Sequence, residues 1–234
     1  MIRSPWFALP RKIVSTPVRF FLLKKEAMVV SYKGRGSEPM RLIQKIKKET
    51  DVFMAEYEAY HIYMVVKKTA KVPGDIAEVG VYRGGSAKVI CEAREKGNEK
   101  LVHLFDTFEG LPEVSSMDKP GQFQKGEFAA SLEEVKKYLA SYPRVNFYKG
   151  WFPDTATPIE GKQFSFVHMD VDIYESTRSS IEFFYPRMSK GGVIISHDYG
   201  NAPGVRKAFD DFFQDKPEPV FEFFAGNQCM VVKS

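Results

Sequence analysis

The chain has 234 residues, the size of one domain or of one domain with an appendage. Hydrophobic residues make up 44% and charged residues 27%, which excludes a disordered chain, a collagen-like repeat and a disulfide-rich scaffold. No apolar stretch approaches the roughly 18 residues that span a bilayer, and Cys91 and Cys229 lack the spacing of a zinc or redox site. We therefore expect a cytoplasmic protein without a transmembrane segment or secretory signal.

Positive charge is concentrated at the N-terminus. Residues 1–36 carry eight Lys or Arg and one acid, a net charge of +7, whereas the other 198 residues carry 26 basic and 29 acidic side chains, a net charge of −3. Pro5, Pro10 and Pro17 would interrupt a long amphipathic helix. We predict a basic arm at 1–37 and one domain at 38–234. The arm is either solvated, covers a contact in a homo-oligomer, or touches an anionic membrane peripherally.

The residues after the arm alternate between helical and extended patterns. Apolar residues recur at intervals of three and four over 40–71, which predicts two helices or one broken helix. Further helices are predicted at 87–96, 131–141, 176–188 and 205–213. Apolar strands are predicted at 76–81, 101–105, 145–148, 164–169 and 193–196, and a hairpin is predicted from strands at 220–224 and 229–233.

This alternation predicts an α/β fold. The expected architecture is an open, doubly wound, mostly parallel sheet of the Rossmann-like kind, with N-terminal helices and a C-terminal antiparallel hairpin. A closed barrel would need more strand–helix pairs than the chain contains. In open sheets of this kind ligands bind beyond the carboxyl ends of the strands, so the residues that follow each strand are the candidates for function.

A glycine-rich turn follows the first strand of this sheet. Gly80, Gly84 and Gly85 allow the backbone to bend sharply and to approach a ligand, although the spacing is not the GxGxxG of dinucleotide sites. An ordinary strand-to-helix turn is the alternative. Glu78 lies inside the apolar strand, where a buried carboxylate needs a partner such as an ammonium group.

The second strand ends at Asp106. A carboxylate at this position can accept both hydroxyl protons of a ribose, or it can serve as a helix cap or turn acid. Together, Glu78 for a cationic amino group and Asp106 for a ribose suit S-adenosylmethionine better than NAD.

Acidic residues also follow the next two strands. Asp170 and Asp172 are two residues apart and would face the same side of an extended segment, and Asp198 follows the neighbouring strand. Oxygen ligands from two strand ends, with positions left for water and substrate, indicate an open Mg²⁺ or Mn²⁺ site. The alternative is that Asp172 and Asp198 cap the helices that follow them.

Four segments, 73–86, 105–111, 169–177 and 197–199, together resemble the macrocin O-methyltransferase (TylF-like) family, from about residue 50 to the C-terminus. The resemblance implies a class I methyltransferase fold, S-adenosylmethionine as donor, and divalent-metal-assisted methylation of a hydroxyl on a small molecule such as an antibiotic sugar. It implies donor contacts from Glu78, Gly80, Gly84, Ser86 and Asp106, to which we add Tyr82, Gly85, Thr107, Phe108, Trp151 and Asp170. It implies a metal held by Asp170, His197 and Asp198.

The chain departs from this family at His197, where the family has a second acid. An imidazole ligand suits Mn²⁺, Fe²⁺ or Zn²⁺ better than Mg²⁺. Related catechol enzymes use a lysine base three residues after the first metal-binding aspartate, where this chain has Ile173. The catalytic residues are therefore predicted to be Asp170, as base and ligand, and His197, with His168 as a further candidate base.

Three other functions remain open. A nicotinamide dehydrogenase would need a GxGxxG turn and proton-relay residues that the sequence does not contain. A non-catalytic protein that keeps the donor pocket would fit the change at His197. The basic arm would suit a methyltransferase of nucleic acid, but we expect no nucleic-acid partner, because the rest of the chain is negatively charged and would repel phosphate.

Overall fold

The computed structural model describes residues 27–28, 37–94, 97–223 and 226–234. Its centre is one sheet of eight strands: β1 (Ala27–Met28), β2 (Asp75–Val79), β3 (Val102–Asp106), β4 (Val145–Lys149), β5 (Phe164–Met169), β6 (Met188–Ser196), β7 (Phe221–Phe223) and β8 (Cys229–Val232). Six α-helices flank it: α1 (Glu38–Glu49), α2 (Glu56–Lys68), α3 (Gly85–Ala93), α4 (Leu132–Leu139), α5 (Tyr174–Phe184) and α6 (Pro203–Phe213). None of these helices is both long and apolar enough to cross a membrane.

The strands follow the order β1-β7-β8-β6-β5-β2-β3-β4 across the sheet. All neighbouring strands are parallel except β8, which runs antiparallel to both β6 and β7. The predicted open, mostly parallel sheet with a C-terminal hairpin is confirmed. The chain builds outward from β2 in one direction through β3 and β4, and then restarts on the other side of β2 with β5. The gap between the ends of β2 and β5 is therefore the point where ligands bind in such sheets.

Alternate residues of the central strands enter two hydrophobic cores. Ile76, Leu104 and Phe166 pack on the face covered by α1 to α4. Their neighbours in sequence, Ala77, Phe105 and Val167, pack on the face covered by α5 and α6. Helices on both faces explain why these strands read as continuous apolar runs.

The helical region after the arm consists of two helices, because residues 50–55 form an extended linker between α1 and α2. α5 begins at Tyr174, two residues earlier than predicted, because Asp118 accepts a hydrogen bond from the Tyr174 amide at 2.8 Å. β6 begins at Met188, five residues earlier than predicted. Within the predicted arm, β1 pairs with β7 at the edge of the sheet; the other residues before 37 lie outside the described part of the chain.

Candidate active site

A cavity of about 460 Å³ opens at the point between β2 and β5. Residues that follow β2, β3, β4, β5 and β6 line it, and further walls come from the linker 50–55 and from the long loop 107–131. The volume falls in the range of sites for small ligands. Of the predicted donor and metal residues, those that line the cavity are Gly80, Tyr82, Gly85, Ser86, Asp106, Thr107, Trp151, Asp170, His197 and Asp198.

Close packing fixes two glycines of the turn after β2. A Cβ on Gly80 would lie 1.8 Å from the carbonyl oxygen of Asp170, and the residue has a φ of +87°. A Cβ on Gly85 would lie 2.3 Å from a methyl group of Val52 in the linker. The glycines therefore allow the turn, the end of β5 and the linker to meet at one place, in addition to any approach to a ligand.

Asp106 organises the same turn. One of its carboxylate oxygens accepts the amides of Val81 and Tyr82 at 2.7 and 2.8 Å, and the other accepts the Phe108 amide at 2.6 Å. Burial raises the pKa of Asp106, while these three amides lower it. Asp106 therefore stabilises the turns after β2 and β3, which is one of the two roles predicted for it. The Thr107 side chain lowers the pKa of Asp106 as well, so a ligand in the cavity would approach a carboxylate that the turn already holds in place.

Three predicted donor residues, Glu78, Gly84 and Phe108, are absent from the cavity lining. Glu78 is fully buried on the face covered by α1 to α4, where its carboxylate lies 2.8 Å from Nδ1 of His168. Burial raises the pKa of Glu78, and His168 opposes that rise. One carboxylate oxygen of Glu78 therefore already has a buried partner, and the predicted contact with an ammonium group stays a prediction. His168, also fully buried, does not reach the cavity either, which argues against it as the base.

Asp170, His197 and Asp198 converge at the ends of β5 and β6. Their ligand atoms all lie within 4.8 Å of one another. Nδ1 of His197 is 3.0 Å from a carboxylate oxygen of Asp198 and 3.3 Å from one of Asp170. The backbone positions the cluster, since the amide of Asp170 donates to Val79 in β2 and the amide of His197 donates to Met169 in β5.

A fourth residue of this cluster, Glu58, escaped the sequence analysis. Its carboxylate lies 3.3 Å from Nε2 of His197, on the opposite side of the ring from Asp170 and Asp198. The same carboxylate accepts the amide of Ala55 at the start of α2 and the amide of Asn227 in the β7–β8 turn. An acid three residues into a helix reads as an ordinary capping residue, so the sequence carries no signal for this contact.

The charges of the cluster are strongly coupled. Burial alone would lower the pKa of His197, but the charge of Asp170 and hydrogen bonds to Asp170, Asp198 and Glu58 raise it well above its ordinary value. Burial would raise the pKa of Asp170, but His197 holds it below its usual range. Asp172 also lines the cavity; burial, and then the charges of Asp170 and Asp198, raise its pKa well above the ordinary value.

The donor set suits a divalent metal. Two carboxylates and one imidazole nitrogen converge on one point, and Glu58 faces the other ring nitrogen of His197. A proton on Nε2 would be held by Glu58 and leave Nδ1 free as a ligand, which is the arrangement of carboxylate, histidine and metal common in metalloproteins. A mixed nitrogen and oxygen set suits Mn²⁺, Fe²⁺ or Zn²⁺.

Left-handed backbone at residues other than glycine is concentrated at the cavity. Among the described residues six such positions occur, and four of them line the cavity: Tyr82, Phe128, Asp172 and Asp198. A β-carbon makes this conformation unfavourable, and residues held in it cluster at functional sites. The concentration of strained backbone at this cavity favours it as the ligand-binding site of the protein.

Comparison with known proteins agrees with the geometry. The solved structure of the O-methyltransferase NovP superimposes with a TM-score of 0.64 at 28% identity, covering 76% of this chain and 79% of that one. The calicheamicin methyltransferase CalS11 also gives a TM-score of 0.64, at 18% identity, with coverage of 83% and 91%, and shows the shared fold. The protein therefore has the Rossmann-like fold of class I methyltransferases.

The sequence places the chain more narrowly. Residues 59–221 match the model of the macrocin-O-methyltransferase (TylF) family, and the chain belongs to that family. A tetracenomycin 4'-O-methyltransferase of Streptomyces olivaceus that acts on a 2,3-dimethoxy-rhamnosyl derivative is 36% identical over 153 residues. Demethyldecarbamoylnovobiocin O-methyltransferase of Streptomyces niveus is 32% identical over 154 residues. Each match covers 60% of this chain and 58% of the relative, so the chain spans less than two thirds of the length of these relatives.

Proposed function

We propose that this protein is an S-adenosylmethionine-dependent O-methyltransferase that methylates a hydroxyl of a small molecule, a sugar or another vicinal diol. The observation that carries the proposal is one cavity whose walls include both the glycine turn after β2 and the Asp170–His197–Asp198 cluster. The first suits a nucleoside donor and the second suits a metal-bound hydroxyl. The names of the two relatives, both O-methyltransferases of antibiotic compounds, support this acceptor class.

The donor side of the cavity is formed by the ends of β2, β3 and β4. We assign the ribose to the carboxylate of Asp106 and the side chain of Thr107, and the methionine portion to the turn that contains Gly80 and Ser86. Trp151, at the end of β4, offers an aromatic face for the adenine. Binding on this side orients the donor so that its methyl group points toward the ends of β5 and β6.

The acceptor side contains the cluster at the ends of β5 and β6. Asp170, His197 and Asp198 would hold the metal, which when bound lowers the pKa of a coordinated hydroxyl and fixes its orientation. Glu58 holds the ring of His197 in place. Asp170 and His197 keep their predicted catalytic roles as ligands in this scheme.

Methyl transfer to a hydroxyl forms a carbon–oxygen bond, breaks the carbon–sulfur bond and releases one proton. Asp172 lines the cavity beside this cluster and is not one of the three proposed ligands, so its carboxylate can accept the proton. We therefore add Asp172 as candidate base, beside Asp170, the first choice from the sequence.

The first test of the proposal is donor binding. Isothermal calorimetry should detect S-adenosylhomocysteine and should detect no binding of NAD. Asp106→Asn should weaken that binding about tenfold or more, because a charge-assisted hydrogen bond is worth roughly 1.5–3 kcal/mol. Denaturation of the same variant measures how much of the loss comes from the turn itself. Unchanged affinity would remove Asp106 from the ribose site.

The second test is the reaction. Incubation of the protein with labelled donor and a set of glycosides and catechols should yield a labelled methyl ether in the presence of Mn²⁺ or Mg²⁺. Asp170→Asn should abolish this transfer and spare binding of S-adenosylhomocysteine. Full turnover in the presence of a chelator would contradict the metal assignment.

A further inference from the structure

Three aromatic side chains form one surface at the mouth of the cavity. Phe53 lies on the linker 50–55, Tyr82 on the turn after β2, and Phe128 on the loop 107–131, and all three line the cavity. Their ring centroids are 5.5 Å apart for Phe53 and Tyr82, 5.7 Å for Phe53 and Phe128, and 6.1 Å for Tyr82 and Phe128. Three segments distant in sequence thus meet through their aromatic rings.

This aromatic surface is formed although exposed apolar area and left-handed backbone both cost folding free energy. The Phe53 side chain is 70% exposed, the largest exposure of any large hydrophobic residue in the described ranges. Tyr82 and Phe128 both have left-handed backbone, with φ of 48° and 62°. Exposed apolar area and strained backbone both destabilise a fold, and they occur together where a surface serves binding.

Polar contacts hold the surface in place from behind. The guanidinium of Arg83 lies over the ring of Tyr82 at 5.3 Å and also forms an ion pair with Asp51 in the linker. Val52, between Asp51 and Phe53, fills the space beside Gly85. The linker is therefore fixed to the donor turn on both sides of Val52, and Phe53 is presented from a supported segment.

The spacing of the rings decides what the surface can bind. Centroid distances of 5.5 to 6.1 Å mean that the rings touch one another, so no guest fits between them. A cage for a cation needs rings separated by the width of the guest and is excluded by this spacing. What remains is a continuous apolar surface with electron-rich ring faces, complementary to a ring that presents C–H groups on one face and hydroxyls at its edge.

We propose that Phe53, Tyr82 and Phe128 form the acceptor platform, which binds the apolar face of a pyranose sugar and holds one of its edge hydroxyls toward the cluster of Asp170, His197 and Asp198. This inference rests on the proposed function and specifies its acceptor. The linker that carries Phe53 continues directly into α2, whose Glu58 contacts His197. Tyr82, predicted from the sequence as a donor contact, is assigned to the acceptor in this proposal. The platform selects the acceptor and takes no part in the chemical step.

The test is saturation-transfer NMR with a panel of methyl pyranosides that includes α-L-rhamnoside, α-L-fucoside and β-D-glucoside, in the presence of S-adenosylhomocysteine. Irradiation of the protein's aromatic signals should transfer saturation to the ring C–H protons of one face of at least one sugar. Phe53→Ala should weaken the affinity of the protein for that sugar about three- to tenfold, whereas Phe53→Tyr should bind the sugar with wild-type affinity. Because Phe53 is exposed, neither change should alter folding.

Met117 supplies the matched control. It is 46% exposed on the same loop as Phe128 but does not line the cavity, so Met117→Ala should leave sugar binding unchanged. No transfer to any sugar of the panel, or equal affinity in the wild type and in Phe53→Ala, would overturn the platform. Binding of S-adenosylhomocysteine, measured separately, tells a failed platform from a failed methyltransferase assignment.

Discussion

At the scale of single residues, some positions of the site are packed so closely that no larger side chain fits. Gly80 is the clearest case, because a side chain there would overlap the backbone of Asp170. The glycine turn after β2 and the first residue of the Asp170–His197–Asp198 cluster are therefore in direct contact. Substitution of this glycine tests the packing without any knowledge of substrate.

A series of three glycine variants separates steric overlap from backbone strain. Gly161 has open space around its Cα and an ordinary φ, so Gly161→Ala should leave the free energy of unfolding unchanged. Gly121 also has open space but a φ of +75°, so Gly121→Ala should lower the free energy of unfolding by about 1 kcal/mol. Gly80 combines a φ of +87° with overlap between an added Cβ and the backbone of Asp170, so Gly80→Ala should lower the free energy of unfolding by about 3 kcal/mol or more. Urea denaturation measures all three, and equal losses at Gly80 and Gly121 would contradict the described contact.

The second prediction at this scale concerns His197 and Glu58. The family resemblance alone suggests that His197→Asp should improve Mg²⁺ binding by adding an oxygen ligand. The structure changes that expectation, because the new carboxylate would face Glu58 without an imidazole between them. We expect His197→Asp alone to lose about 3 kcal/mol of folding free energy, in the range found for broken buried ion pairs.

Replacement of Glu58 as well should relieve this repulsion. The double variant Glu58→Gln, His197→Asp should recover part of the lost stability and bind Mg²⁺ more tightly than the wild type, whereas Glu58→Gln alone should weaken Mn²⁺ binding. Calorimetry with each metal and a double-mutant cycle in urea provide the measurement. Strict additivity of the two changes would mean that the residues do not interact.

At the scale of elements, the chain end is tied to the rest of the fold by one carboxylate. Glu218 precedes β7 and accepts hydrogen bonds from Tyr185 at 2.6 Å, from Lys233 at 2.8 Å and from Ser234 at 2.8 and 3.1 Å. Burial alone would raise the pKa of Glu218, but these bonds lower it to about 2. The side chain is 1% exposed, so little solvent screening weakens the effect.

The low pKa of Glu218 predicts a pH dependence of stability. A carboxylate whose pKa falls on folding stabilises the protein fully above its unfolded value near 4.5, and the contribution is lost as the pH falls toward 2. Glu218→Gln should therefore lower the free energy of unfolding at pH 7 by on the order of 2–3 kcal/mol. The difference from wild type should disappear near pH 2. Glu133→Gln, at an exposed ion pair, should change stability by only a few tenths of a kcal/mol.

The elements themselves were largely predictable, whereas the contacts between loops were not. Apolar patterns located seven of the eight described strands and all six described α-helices, because burial on both faces of the sheet imposes those patterns; β1, inside the predicted arm, was missed. The linker between α1 and α2 contains neither glycine nor proline that would mark the end of a helix. Its extended form is instead explained by a tertiary contact, the packing of Val52 against Gly85. Contacts such as Glu58 with His197 join residues 139 positions apart, and no local pattern encodes them.

At the scale of the whole molecule, residues 27–28 of the predicted basic arm meet the domain at the edge of the sheet. β1 pairs through only two residues, Ala27 with Glu222 and Met28 with Phe223. The cavity walls lie in residues 51–227, distant in sequence from this strand. The proposed division into an arm at 1–37 and a domain at 38–234 is therefore compatible with an autonomous donor site.

Deletion of residues 1–36 tests this division. The shortened protein should fold and bind S-adenosylhomocysteine with the affinity of the full chain, because the contact described for this segment, the pairing of 27–28 with β7, lies at the edge of the sheet. Calorimetry and thermal unfolding of both proteins are the measurements, with sedimentation to follow association through the exposed edge of β7. An insoluble product, or one without donor binding, would show that the arm belongs to the folded unit.

The contact between Gly80 and Asp170 also bears on how acceptor range could be re-engineered. The glycine turn follows β2 and Asp170 follows β5, and these strands are hydrogen-bonded neighbours about 4.8 Å apart. Under the proposed function, the sheet therefore fixes the distance between the donor and the residues that would bind the acceptor. Phe53 and Phe128 of the aromatic platform lie on segments outside the sheet, whereas Tyr82 lies on the turn after β2. If the proposed function holds, exchange of the linker 50–55 and the loop 107–131 should change the range of acceptors and leave the spacing of β2 and β5 unchanged.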